Sequence, residues 1–234
     1  MPLLRDQAFR IVCNIRTPAA NGGYIVGTGV FMTTNGSDAY LITASHVAKS
    51  TNSSTLIAVQ SDDGRCQTFW LASLTPSLAW RYHDVADMAL LPLGGTVQAQ
   101  LVVNKRCLEI DCFNLQKKAA SRDDELTAIG FPNGLGVDGM FSPLTFRSFA
   151  SSGYLTLDRA DTHTPQVFFC LENPSVGGYS GCPVIDLAYM ISGFITQSKG
   201  NPVCHGIMHG TMSDNTGGKL ALVTPMFYLN DLLE

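Results

Sequence analysis

The sequence predicts an all-β protein made of two six-stranded antiparallel β-barrels, with a short helix at the C-terminus. Three observations predict it. Short apolar or alternating runs recur at regular intervals with turn residues between them. Convincing helical stripes are few. A polar stretch lacking β-formers, Asn114 to Asp124, divides the runs into two sets of about six. The expected organisation is therefore an N-terminal barrel over 1–113, a linker over 114–124 and a C-terminal barrel over 125–234.

Residues 8–16 alternate apolar and polar side chains, as a half-buried strand does, and Pro18 to Gly23 break the run. Tyr24 to Thr33 reads as a second strand, with Gly27 and Gly29 permitting a bulge. Asn35-Gly36 is a strong hairpin signal, and 39–44 is the returning strand, which delivers His46 at its end. Further runs lie at 55–60, 68–74 and 87–93, the last opened by Asp87. In the second half the strands expected are 125–131, 144–149, 153–157, 166–172, 183–186, 188–197, 203–211 and 219–224. Met226 to Leu233 reads as a short packed helix.

Composition excludes several classes of function. The chain has 234 residues, 45% hydrophobic and 15% charged, enough to build a substantial core. Net charge is −4 and no basic run exceeds Lys117-Lys118, which argues against a nucleic-acid partner. No stretch approaches the roughly 20 apolar residues that span a bilayer, so no membrane association is expected. Met1 to Asp6 lacks the features of a signal peptide. Seven cysteines are an odd number without pairing rhythm, and no CxxC or Cys/His ligand pair suggests a metal. Reduced thiols, a cytoplasmic location and no cofactor are the expectation.

The chemistry-bearing stretch is Gly177-Gly178-Tyr179-Ser180-Gly181-Cys182-Pro183-Val184, a tight turn leading into a buried strand. Gly178 can adopt backbone angles closed to other residues, which lets the amides of Gly178 and Ser180 point at one spot. Donors aimed in that way make an oxyanion hole beside a nucleophilic serine. Gly-x-Ser-Gly also occurs in plain hairpin turns, a histidine after a buried strand is often only structural, and an acid before a strand is often only an edge cap. The order His46, Asp87, Ser180, spread over both halves, favours the catalytic reading. Asp84 competes with Asp87. Choosing Asp84 would push Asp87 into a strand that should be apolar, at a cost of several kcal/mol, about what an unpaired buried charge exacts.

With Gly27-Thr28-Gly29-Val30-Phe31, Leu41-Ile42-Thr43-Ala44-Ser45-His46-Val47, Asp87-Met88-Ala89-Leu90-Leu91 and the serine turn, the chain resembles the chymotrypsin-like serine proteases over nearly its whole length. The resemblance implies a serine endopeptidase acting on protein or peptide substrates in a cleft between the barrels. Ser180 would attack the scissile carbonyl, His46 act as general base and then acid, and Asp87 orient the imidazole. Gly178 and Ser180 would supply the oxyanion hole. Pro174, Ser175, Met208, His209, Gly210 and Thr211 would line the substrate site, His209 either touching substrate or packing against the buried Asp87 region. His83, His163 and His205 read as ordinary surface residues.

The chain departs from the secreted branch. No cysteine follows His46, Val176 stands where a cysteine is common, and Tyr179 replaces the aspartate that pairs with a freed N-terminus in zymogen-derived relatives. Cys182 replaces a usual glycine. The disulfide-free pattern is similar to bacterial HtrA-type and viral proteases of the same fold. Pro174 stands where arginine- and lysine-selective relatives carry an aspartate, so an uncharged residue before the cleaved bond is expected, with an acidic one as runner-up. A peptide-binding pseudoprotease is the competing function. An esterase of unrelated fold is disfavoured by the chain order and the lack of β-α alternation.

Overall fold

A computed structural model describes residues 5–34, 38–159, 161–213 and 215–234. The first half contains β1 (Val12–Pro18), β2 (Tyr24–Thr34), β3 (Asp38–Thr43), β4 (Leu56–Gln60), β5 (Cys66–Trp70), β6 (Arg81–Tyr82), β7 (Ala89–Leu93) and β8 (Leu108–Glu109). They form one eight-stranded sheet in the order β5-β4-β1-β2-β3-β7-β6, with β8 laid parallel to β2. The second half contains β9 (Leu126–Gly130), β10 (Leu144–Ser148), β11 (Leu155–Asp158), β12 (Pro165–Leu171) and β13 (Pro183–Asp186). After these come β14 (Tyr189–Ser192), β15 (Ile195–Ser198), β16 (Val203–Ser213) and β17 (Lys219–Pro225). Seven of these nine form a sheet in the order β10-β9-β13-β16-β17-β12-β11.

The protein is all-β as expected, but the two sheets have eight and seven strands and their ladders are open paths rather than closed six-stranded barrels. Single contacts draw the edges round. The Gly94 amide donates to Leu74 O, and an isolated bridge joins Ala150 to Leu171. The run 188–197 is not one strand. It turns at Gly193 (φ +61°) and pairs on itself as the hairpin β14-β15. The N-terminal strand begins only at Val12. Arg5–Ala8 is a helical turn, α1, and Phe9–Ile11 a 3-10 turn, because Ala8 and Ile11, three apart, bury one helical face. The Asn35-Gly36 turn and residues 1–4 lie outside the described residues.

Two short helices interrupt the first half: α2 (Ser45–Ser50), directly after β3, and α3 (Val97–Val103). Neither was expected, and the second shows why. Only Ala99 and Val102 of it are buried, too brief a stripe to stand out, although Thr96 Oγ1 accepts the Ala99 amide at 3.0 Å as an N-cap should. Residues 114–125 form no helix or strand. The C-terminal segment is a 3-10 turn, Met226–Leu229, followed by α4 (Asn230–Leu233). Each sheet has its own apolar cluster. A third joins the halves, packing Val30, Ile42 and Met88 of the first with Ile129, Phe131 and Ile207 of the second and Met226 and Leu229 of the C-terminal segment. No described helix is long and apolar enough to cross a membrane.

Candidate active site

His46 is the second residue of α2, a helix that starts where β3 stops being paired. Ser45 Oγ donates to Met88 O at 2.8 Å and the His46 amide donates to Asp87 Oδ1 at 3.1 Å. The acid thus satisfies one of the amide groups that a helix start leaves without a partner. It also receives the imidazole: His46 Nδ1 lies 2.7 Å from Asp87 Oδ2. Asp87 is fully buried whereas His46 is half-exposed, and Asp84 is exposed.

The second half supplies the rest of the surroundings of Asp87. His209 of β16 brings Nδ1 to 2.6 Å from the same Oδ2. Arg159, between β11 and β12, sets Nη2 3.4 Å from Oδ1 and donates through Nη1 to Val85 O at 3.0 Å. Arg159 is itself neutralised by Asp161, at 2.6 Å. Gln166 Oε1 of β12 accepts the Asp87 amide at 2.8 Å. Burial pushes the Asp87 carboxyl upward, but the hydrogen bonds from His209 and His46 outweigh it and hold the group well below the usual carboxylate range. The ligand atoms of His46, Asp87 and His209 lie within 4.8 Å of one another, a spacing that metal ligands also show. Here both imidazoles address one oxygen and a guanidinium faces the other, which suits proton sharing rather than a cation.

Ser180 sits in the turn between Leu171 and Pro183, and Thr28 of β2 clamps that turn from the other sheet. The Thr28 amide donates to Ser180 O at 2.9 Å. Its Oγ1 donates to Gly178 O at 2.9 Å and accepts the Phe131 amide at 3.2 Å. Gly178 has φ +94°, and a Cβ there would collide with Phe131 O. The Asn133 amide holds Gly177 O at 2.7 Å, and because the peptide is planar and trans the Gly178 amide faces the opposite way. Among the described residues neither the Gly178 nor the Ser180 amide donates to another group. Ser180 Oγ donates to His209 O at 3.2 Å and makes no hydrogen bond to His46.

The expected substrate-lining residues divide. Pro174 and Thr211 are exposed, Ser175 and Gly210 half-buried, and Thr211 Oγ1 donates to Ser175 O at 3.0 Å across the two segments. Met208 and His209 are buried, and His209 takes the second of its two expected places, against Asp87. Met208 is 3% exposed inside the second sheet's core, and His209 is 7% exposed and engaged with Asp87. β16 carries a bulge between Met208 and Gly210, which breaks the simple alternation of faces. Tyr179, beside the serine, is fully buried with its hydroxyl unpartnered among the described residues. All seven cysteines are free. Burial pushes the Cys182 thiol well up and that of Cys204 to about 12, so neither is a ready nucleophile.

Sequence reasoning missed Arg159, Gln166 and His83. His83 Nδ1 accepts the amides of Val85 and Ala86 at 3.0 and 2.8 Å, so it is no ordinary surface residue. Arg159 and Gln166 carry no local signal, since their partner lies more than 70 residues away.

Two measurements follow from this geometry. Thr28→Val keeps the shape of the side chain but removes both Oγ1 bonds. It should destabilise the chain by about 1–3 kcal/mol, read as a lowered denaturant midpoint. Asp87→Asn should destabilise it by about 3–5 kcal/mol at neutral pH, because it leaves two imidazoles without their anion and the buried guanidinium with only Asp161. Folding depresses the Asp87 pKa, so its stabilisation is complete above the unfolded value of about 4 and declines as pH falls. The stability difference between wild type and Asp87→Asn should therefore shrink below about pH 4.

Residues 27–189 match the family model for the trypsin-like peptidase domain. No curated sequence relative matches the chain. Among solved structures, an HtrA-type protease, an AlgW variant with a tripeptide, is similar at 18% identity and a TM-score of 0.60 over 97% of this chain. This chain spans only 60% of that protein's length. The Rv3671c protease from M. tuberculosis, in its active form, is similar at 16% identity and TM-score 0.62, over 97% of this chain and 80% of that one. The MamO protease domain from Magnetospirillum magneticum is similar at 16% identity and TM-score 0.61, over 99% of this chain and all of that one. The fold, the His46–Asp87 couple and the family match converge: the chain belongs to the trypsin-like peptidases, a family of serine proteases.

Proposed function

We propose that the chain is a serine endopeptidase that forms an acyl-enzyme on Ser180. The observation that carries this reading is His46 Nδ1 at 2.7 Å from the buried Asp87 carboxylate. Donation of the Nδ1 proton to Asp87 leaves the lone pair on Nε2, the nitrogen that serves as general base. The reading requires a χ1 rotation that takes Ser180 Oγ off His209 O and toward that nitrogen. Attack on the scissile carbonyl then builds negative charge on its oxygen, and the unengaged amides of Gly178 and Ser180 stabilise it. His46, now protonated and stabilised by Asp87, hands the proton to the leaving amine, and water releases the acyl group by the reverse sequence. His46 and Asp87 come from the first half and Ser180 from the second, so substrate would lie between 1–113 and 125–234. A peptide as ligand is also in keeping with the tripeptide on the HtrA-type relative.

The Ser180 Oγ bond to His209 O, in place of His46, favours the second reading, a peptide-binding pseudoprotease. Reaction of the full chain with a fluorophosphonate probe decides between them. Covalent labelling of Ser180 supports the peptidase, and a folded chain that stays unlabelled supports the pseudoprotease. In a peptidase, Ser180→Ala, His46→Ala and Asp87→Asn should each lower kcat by about 10⁴-fold or more, whereas Asp84→Asn should leave it near wild type. Double variants should be little worse than Ser180→Ala alone, because the three act as a unit.

Specificity forms a separate expectation. Neither Pro174 nor its neighbours Asn173 and Ser175 carries a charge, so a buried Lys or Arg side chain would go without a counter-ion at a cost of several kcal/mol, roughly that of an unpaired buried cation. Matched peptides that differ only before the cleaved bond should be cut after uncharged residues, with acidic ones next. Preferred cutting after Arg or Lys would refute this pocket.

A further inference from the structure

Asp87 stands at the end of a loop, 83–88, that is folded around one imidazole. Val85 and Ala86 both donate their amides to His83 Nδ1, at 3.0 and 2.8 Å. The Met88 amide donates to Ala86 O at 2.8 Å, and the His83 amide closes the loop on Met88 O at 3.0 Å. A ring nitrogen that accepts two N–H groups carries no proton, so the proton of His83 is on Nε2. Nε2 lies 2.9 Å from Asp231 Oδ2, 148 residues away on α4. The ring is held edge-on against Tyr228, centroids 4.8 Å apart.

We propose that His83 is a positioning residue for the catalytic acid: its Nδ1 templates the loop that sets Asp87, and the C-terminal segment holds the ring. The proposal rests on the reading of Asp87 as the acid that orients His46. The work falls on Nδ1 rather than on the ion pair, because the His83 side chain is 7% exposed and that of Asp231 68%. An exposed carboxylate contributes little through charge alone, whereas two inward amides without an acceptor would open the loop. The C-terminal segment also reaches the loop's other support. Tyr228 Oη accepts the Val167 amide at 3.1 Å, next to Gln166, which holds the Asp87 amide.

The chemistry of two amide side chains separates this role from plain packing. Asn places Oδ1 where His places Nδ1 and can accept both amides. Gln places its amide near Nε2 and leaves them without an acceptor. On a Ser180→Ala background, the low-field NMR proton of the His46 Nδ1–H···Asp87 bond reports the position of the acid without turnover. It should persist in His83→Asn and vanish or move upfield in His83→Gln. In the active chain His83→Gln should lower kcat about tenfold to a hundredfold with KM unchanged, the scale of an ångström-sized misplacement, while His83→Asn stays within about threefold of wild type. Asp231→Asn, which still accepts from Nε2, should change neither reading. A His83→Gln chain with wild-type kcat and proton signal overturns the proposal, as does His83→Asn failing as badly as Gln. If His83→Gln does not fold, His83→Asn decides: retention of the signal supports the template and its loss overturns it. A wild-type chain that ignores the fluorophosphonate probe sinks the peptidase reading instead, and the proton signal still tests His83.

Discussion

The structure depends on one buried carboxylate. Asp87 has no contact with solvent, yet five groups address it: two imidazoles, a guanidinium, the amide that starts α2, and through its own amide the side chain of Gln166. An ionised acid in an apolar interior is expensive unless its lone pairs are taken up. Here the uptake comes from both sheets. Taking the second half away would strip the carboxylate of His209 and Arg159 and the Asp87 amide of Gln166 together, so the site and the packing of the halves form one problem with one solution.

That arrangement also assigns the two histidines different work. His46 is half-exposed and gives only one of its ring nitrogens to Asp87, while His209 is enclosed and offers its carbonyl oxygen to the serine. Both donate to the same oxygen of Asp87. The acid is thereby kept ionised by hydrogen bonds rather than by solvent, the condition under which it can stabilise an imidazolium without taking its proton. The serine turn is fixed by equally impersonal means: a threonine from the opposite sheet, a glycine at positive φ, and the packed ring of Tyr179.

Much of this was legible in the sequence because it is written locally. Glycines around Ser180 announce a turn, Leu41 to Thr43 announce the strand that delivers His46, and the apolar run after Asp87 singles it out from Asp84. What could not be read depends on partners far along the chain. His83 looks like a polar loop residue until Asp231 and the folded loop are beside it. Arg159 sits among polar residues that give no hint of a buried acid. For His209 the sequence left two places open, and the structure puts it in one of them, against Asp87. The hairpin β14-β15 was hidden in a continuous run with only Gly193 to divide it, and α3 was too short to show a stripe.

The bonds that tie Asp87 and the serine turn in place run between residues 41, 122, 148 and 150 positions apart. Contacts so distant in sequence close late, after the entropy of the intervening loops has been overcome. A chain emerging from the ribosome can pair β1 with β2 and β3 early, and place His46 beside Asp87. The Thr28 clamp waits for residue 178, and the ring of His83 waits for residue 231. The surroundings of Asp87 and of the serine turn are consequently complete only after residues 178, 209 and 231 have joined the fold.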